Sequence, residues 1–405
     1  MLRVNQLPIF KYCLIILISF LLTSAEAAKR ESKTLVLDNG LAALLIHDPD
    51  VHRSAASLSV GTGQLYDPKE KMGLAHYLEH MLFLGTKKYP DVENFKKYLN
   101  ENSGGSNAYT AKAITNYFFE VSHGAFDGAL DRFSQFFKAP LFDKKYSKRE
   151  VNAVSSEHDK NMRSDGWRSN YVQDLTAEEG HPVRNFGTGN KETLAGDNRS
   201  ALLDFYKKYY IASNMKLAML SNQSLTEQSA LARNYFGGIP DRPFTLPIID
   251  PDYRKPLKDK YRLLKIKAIK DIRSLSVEFP TIFLKDHQES KPATIVSTLL
   301  GHEGKGSLLS KLKEEGLVLS LSAGGGYSHP NINAFSVTVS LTQKGLREYQ
   351  RVLELLFAYI QMLRDEGIQK YTYDEESMMS EIDFKWKDPE EGAGFVSGRS
   401  ALMHD

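Results

Sequence analysis

The segment from Gly73 to Leu84 constrains the fold more than any other stretch of the chain. Leu74, Ala75, Leu78, Met81, Leu82, Phe83 and Leu84 place apolar side chains nearly all the way round a helix, and Gly85 stops it. A helix without a polar face has no side to turn to water, so other elements must enclose it. Its polar exceptions are His76, Glu79 and His80, at i, i+3 and i+4, which share one face. Burying two imidazoles and a carboxylate costs desolvation free energy, which a metal ion bound on that face would offset.

Two imidazoles one turn apart can present nitrogens to a single zinc ion, which accepts neutral nitrogen and carboxylate oxygen in tetrahedral geometry. Glu79, one residue before the second histidine, can take a proton from water at the metal without being a ligand itself. The order His-x-x-Glu-His inverts His-Glu-x-x-His and is a zinc-protease signature. The chain has one cysteine, Cys13, so thiolate zinc sites, disulfide frameworks and thiol catalysis are excluded. A third ligand must then be histidine, aspartate or glutamate. The predicted helix Lys148–Met162 carries Glu150 and Glu157, seven residues and close to two turns apart, so both point the same way. A charged solvent face is the ordinary reading of such a pair, yet it is the most suggestive acidic pair in the chain. His158 falls on a different face, and His123, His181, His287, His302, His329 and His404 are isolated, as structural or surface histidines are.

With 52 basic and 50 acidic residues the formal charge is +2, which gives no footprint for nucleic acid. Gly104-Gly105 leads into Ser106-Asn107-Ala108-Tyr109-Thr110, a lightly substituted strand that could stay an exposed edge and pair with an extended peptide; an ordinary turn and edge strand is the alternative. Gly301 to Ser307 imitates a phosphate loop, but Gly306 separates Lys305 from Ser307, so nucleotide binding is rejected. At the start, Arg3 and Lys11 precede an apolar run from Tyr12 to Leu22, too short to span a bilayer, and then Ala25-Glu26-Ala27. Residues 1–27 therefore read as a secretory signal peptide. The near absence of cysteine fits a bacterial periplasm, and no other stretch reads as a membrane span.

Patterning beyond the signal is α+β, with helices mixed among mostly antiparallel strands. Leu35–Leu37 and Leu41–Ile46 flank Asn39-Gly40 as a hairpin. Pro240, Pro243, Pro247 and Pro251 mark an aperiodic stretch, giving a first domain over 28–240, a linker over 241–255 and a second domain over 256–405 that repeats the coarse order of the first. Phe395 to Asp405 ends without an evident closing element.

Gly73-Leu74-Ala75-His76-Tyr77-Leu78-Glu79-His80-Met81, followed by Leu84-Gly85-Thr86-Lys87-Lys88-Tyr89-Pro90, resembles the inverted-motif zinc peptidases of family M16, on the branch of insulin-degrading enzyme and pitrilysin. The likeness continues through Gly104–Thr110, Arg149–Val154, Glu157, Lys208–Tyr210, Gly301–Leu309 and Leu346–Glu376. It implies LuxS/MPP-like αβ sandwich domains, antiparallel-rich sheets packed with helices, and a zinc-dependent endopeptidase that takes peptides and small flexible proteins. It implies one zinc per chain on His76, His80 and Glu157, with Glu79 as the catalytic base and Glu150 steadying a liganding histidine. It implies that Ser106, Asn107 and Ala108 pair with substrate backbone and that Tyr109 and Trp167 help line the cleft. The regions near Gly301–Gly306 and Gly324–Gly326 resemble an exosite for the substrate N-terminus. Full-length members of this branch have four such domains in two halves that close around a chamber. The resemblance therefore implies a truncated chain, weakly active by itself, that wants a C-terminal half or a second subunit. A noncatalytic peptide-binding subunit, or an inactive truncated fragment, is the alternative, against which the intact motif residues speak.

Overall fold

The computed structural model describes residues 30–250, 262–282, 284–287, 289–328 and 332–405. The expected signal peptide, the last part of the expected linker and His329 lie outside the described residues.

Strands β1 (Glu31–Val36) and β2 (Ala42–His47) form the expected hairpin. Gly40 at its turn has φ +84°, and the Asn39 amide donates to the carbonyls of Phe236 and Ile239. Then come β3 (Ser54–Val60), α1 (Leu74–Leu82), α2 (Asn94–Glu101), β4 (Gly105–Thr110) and β5 (Thr115–Val121). Helices α3 (Phe126–Gln135), α4 (Lys144–Asn161), α5 (Asp165–Asp174) and α6 (Arg199–Tyr209) follow, then β6 (Met215–Ser221) and α7 (Leu225–Phe236). The strands form one sheet in the order β1-β2-β6-β3-β5-β4, antiparallel except between β2 and β6. Its central strand β3 is buried at every residue because both faces are covered.

The two faces of β3 differ as its sequence does. Ala56, Leu58 and Val60 join the main core with α1, Tyr117, Phe119 and the aromatic cluster of Phe95, Phe126, Phe133, Phe136 and Phe137. Ser57 and Ser59 face the other way, where small polar residues need hydrogen bonds to be buried.

The second unit holds β7 (Ser274–Pro280), α8 (Pro292–Gly301), α9 (Leu308–Glu314), β8 (Val318–Ser328), β9 (Ile332–Leu341), α10 (Gln343–Arg347), α11 (Tyr349–Glu366) and α12 (Lys370–Trp386). Its antiparallel sheet runs β7-β9-β8 over a core of Leu308, Leu309, Leu312, Val337, Val339, Val352 and Leu356. The first sheet contains the same arrangement, β3-β5-β4, with two helices between its first and second strands. The repeat of coarse order is thus visible in topology. Helix α12 leaves Tyr371, Met378, Met379, Phe384 and Trp386 exposed.

The C-terminal residues, whose sequence pattern shows no closing element, form α13 (Gly392–Leu402), which returns to the outer face of the first sheet. Ser57 Oγ meets Ser400 Oγ at 2.7 Å, Ser59 Oγ donates to the Ser400 carbonyl at 2.8 Å, and Asn116 Nδ2 donates to the Ser397 carbonyl at 2.9 Å. Glycine, alanine and serine give α13 no amphipathic stripe, so its pattern is silent while its close approach to the sheet is sterically easy. Helix α5 and strand β8 were likewise unsignalled, α5 being polar with no buried residue and β8 carrying Gly324-Gly325-Gly326.

Candidate functional site

Helix α1 begins at Gly73, in the left-handed region with φ +86°, and buries Leu74, Ala75, Tyr77, Leu78, Met81 and Leu82. This leaves His76, Glu79 and His80 on the face toward a cleft of about 800 Å³. The two imidazoles stand nearly perpendicular, centroids 4.8 Å apart. Helix α4, capped by the Asp143 side chain on the Lys145 amide, packs alongside, with Tyr77 Oη donating to Ser147 Oγ at 2.7 Å. It buries only Glu150 and Val154, so the acidic pair is not a plain solvent face.

Glu157 Oε2 lies 3.6 Å from His76 Nε2 and 3.7 Å from His80 Nε2. His76, His80 and Glu157 each offer a ligand atom within 4.8 Å of the others, and tetrahedral zinc at ordinary bond lengths wants neighbours about 3.4 Å apart. The remaining ring nitrogens are already engaged. His76 Nδ1 meets the Thr188 carbonyl at 2.8 Å, and His80 Nδ1 meets Glu150 Oε2 at 3.5 Å. Both Nε2 atoms are thereby turned toward Glu157, the ring orientation in which a neutral imidazole could offer them to a metal. Glu150 is itself held, its Oε1 accepting from Arg149 Nε at 2.7 Å. The donor set fits a single zinc ion.

The electrostatics follow from this packing. Burial disfavours charge on His80, but hydrogen bonds to Glu150 and Glu157 outweigh it and raise the imidazole to about 9. The same hydrogen bonds from His80 hold the Glu150 and Glu157 carboxyls below the usual range, against their partial burial. Glu79 is buried, and burial pushes its carboxyl up, opposed by His76, by the Thr110 hydroxyl and by His80. Thr110 Oγ1 donates to Glu79 Oε2 at 2.6 Å.

Thr110 ends β4, the outermost strand, hydrogen-bonded on one side to β5. Ser106 and Asn107 are exposed and Ala108 is half-buried at the cleft. Tyr109 lines the cleft edge but turns its ring to the opposite face of β4, where Asn116 Nδ2 donates to its hydroxyl at 3.3 Å. Trp167, on α5, stands 54% exposed at the rim. His158 is turned elsewhere, its ring against Phe186. His123 and His404 are structural, bonding Ser54 and Ser59 respectively. Sequence reasoning singled out neither Thr110 nor Thr188. The first had a signal, as a hydroxyl in the strand already noted; the second acts through its backbone carbonyl, which no side chain announces.

The second unit's counterpart of α1 is α8, whose residues Pro-Ala-Thr-Ile-Val-Ser-Thr-Leu-Leu-Gly contain no histidine or carboxylate. The repeat therefore carries one metal helix, not two.

Two profiles of one peptidase family match the chain in succession. The family profile described as "Insulinase (Peptidase family M16)" matches residues 42–179, and "Peptidase M16 inactive domain" matches residues 198–378. Insulin-degrading enzyme of Homo sapiens is 41% identical over 392 residues, covering 95% of this chain and 38% of that protein. The A-factor-processing enzyme of Saccharomyces cerevisiae is 40% identical over 382 residues, covering 93% of this chain and 37% of that protein. The crystal structure of pitrilysin superposes with a TM-score of 0.81 at 32% identity, covering 93% of this chain and 41% of that one. The chain thus spans about two fifths of the length of these relatives. Two profiles of one family in succession, a shared αβ sandwich and a His-x-x-Glu-His helix with a distal glutamate place the chain in peptidase family M16, on the branch of insulin-degrading enzyme and pitrilysin.

Proposed function

We propose that this chain is the metal-bearing part of a zinc endopeptidase acting on peptides and small flexible proteins. The observation that carries the reading is Glu79, buried and hydrogen-bonded by Thr110, beside the three-ligand cluster and the open edge of β4. Zinc, when bound, supplies Lewis acidity to water and to a peptide carbonyl. Glu79 takes the proton from the attacking water and returns it to the leaving amine as the C–N bond breaks. Thr110 keeps its carboxylate aimed. Glu150 orients His80 through Nδ1, and the Thr188 carbonyl does the same for His76. The edge of β4 at Ser106, Asn107 and Ala108, which no strand pairs among the described residues, aligns an extended substrate by main-chain hydrogen bonds, with Tyr109 and Trp167 at the cleft margin.

The domain reading of 28–240, linker 241–255 and 256–405 goes with this function, save that α13, at the end of that last span, packs on the first sheet. The apolar side chains that α12 exposes support a further half-shell or subunit that closes the chamber. Among the described residues no helix is long and apolar enough to cross a membrane. The signal-like residues 1–27 support export to a periplasm. The test is Glu79→Gln in the zinc-loaded chain with an internally quenched peptide. Zinc should stay bound while the slow, zinc-dependent cleavage of the parent disappears; retained turnover refutes the assignment.

A further inference from the structure

His76 occupies the third position of α1, inside the first turn, where amides lack intrahelical partners and helices fray. A metal ligand placed there needs its turn fixed from outside. The residue at the N-cap is Gly73, which has no side chain to do it. The capping atoms come instead from Asp67, in the preceding loop. Its Oδ2 accepts the Gly73 amide at 2.7 Å, and its Oδ1 accepts the Ala75 amide at 2.8 Å. Asp67 is buried, and the hydrogen-bond partners it has there are these backbone amides. Burial pushes the Asp67 carboxyl up to about 8 even though the Ala75, Gly73 and Leu74 amides pull it down, so the group is costly to place there and is kept as an acceptor for the helix terminus.

The opposite side of the turn is clamped too. A Cβ on Gly73 would collide with the backbone of Gly189, and one on Gly187 would collide with the side chain of Gln64. The 187–189 segment is thereby wedged between the loop and the helix. That fit sets the Thr188 carbonyl against His76 Nδ1. Moving the first turn of α1 would break that contact and swing Nε2 away from Glu157.

We propose that Asp67 is a positioning residue of the metal centre, holding the first turn of α1 so that His76 Nε2 converges with His80 and Glu157. This rests on the zinc reading of the site and adds a residue outside the His-x-x-Glu-His motif.

The test is zinc affinity, measured on the full chain by competition with a chelating indicator well below the melting temperature. Asp67→Asn keeps shape but turns one acceptor into a donor, so it should weaken zinc binding about tenfold or more, the usual scale for partners that orient a ligand. Ser224→Ala, which removes the capping box of the remote helix α7, should lower thermal stability and leave zinc affinity alone. Wild-type affinity in folded Asp67→Asn overturns the proposal. A parent chain that takes up no zinc overturns the metal reading itself. Should Asp67→Asn not fold, hydrogen exchange on the parent decides, because coupling is reciprocal. Zinc should then slow exchange of the Gly73 and Ala75 amides about tenfold or more, and unchanged exchange there refutes the role of Asp67.

Discussion

Zinc uptake should expel a proton from His80. In the metal-free chain the Glu150 and Glu157 contacts raise that imidazole to about 9, whereas a zinc ligand must be neutral. At pH 7 the proton holds the site against the metal by a factor of about 100, or about 2.7 kcal/mol. Apparent zinc affinity should therefore climb about tenfold per pH unit up to about pH 9 and then level off. The metal-free fold should respond with the opposite sign. A folded value above the ordinary histidine value contributes stability that is fully present below about pH 6.5. That contribution is lost as pH rises through about 9. The amount is about 3 kcal/mol for a side chain 24% exposed, and the shifts of Glu150 and Glu157 describe the same interaction, not additional ones. Indicator competition from pH 6.5 to 9.5 gives the first slope, and calorimetry in two buffers of different ionisation enthalpy counts the released protons. Denaturant melts of chelator-treated protein, against His80→Gln, give the second. Affinity that is flat above pH 7, with no proton released at pH 8, would show that the carboxylates do not hold His80 charged.

At pH 9.5, where the proton on His80 no longer competes, Glu150→Gln should weaken zinc about 10- to 100-fold by losing the partner that orients His80 Nδ1, which the same indicator competition reads. Thr110→Val removes a donor that lowers Glu79, so the acid limb of peptide turnover should move to higher pH, with zinc affinity unchanged. Phe133→Ala, at the centre of the aromatic cluster, should cost about 3–5 kcal/mol in denaturant melts. N-terminal sequencing of exported protein should find Ala28 first; an intact Met1 in a membrane fraction would favour an anchor.

What the sequence made legible had strong local signals. The hairpin at Asn39-Gly40, the buried helix α1 and the acidic pair on α4 each rest on a turn type, a periodicity or a spacing that the chain cannot hide. The unreadable parts depend on partners distant in sequence. Helix α13 is mostly glycine, alanine and serine, and its meaning lies in Ser57, Ser59 and Asn116, more than two hundred residues away. Tyr109 shares a strand with Thr110, yet strand alternation sends one side chain toward Asn116 and the other to Glu79. The roles of Asp67 and Thr188 come from backbone amides and a carbonyl, which every residue possesses.

The two units also show why a complete ligand set is not yet a complete catalyst. The same strand and helix order occurs twice, but only α1 carries histidines and carboxylates, while α8 in the equivalent place is apolar. The second unit therefore contributes no ligand, and the residues that line the cleft come from the first unit. His76, His80 and Glu157 converge within the first unit, so zinc affinity should depend little on what else surrounds the cleft. Turnover has stricter demands, since a peptide must be held within about an ångström and developing charge met by fixed donors in a site closed to water. The cleft here is open, and the side of α12 that could seat a partner is apolar and exposed. Supplying a C-terminal half from a relative should accordingly raise peptide turnover far more than zinc affinity. If both rose together, the metal centre itself would be unfinished in this chain, and the division of labour between the units would have to be abandoned.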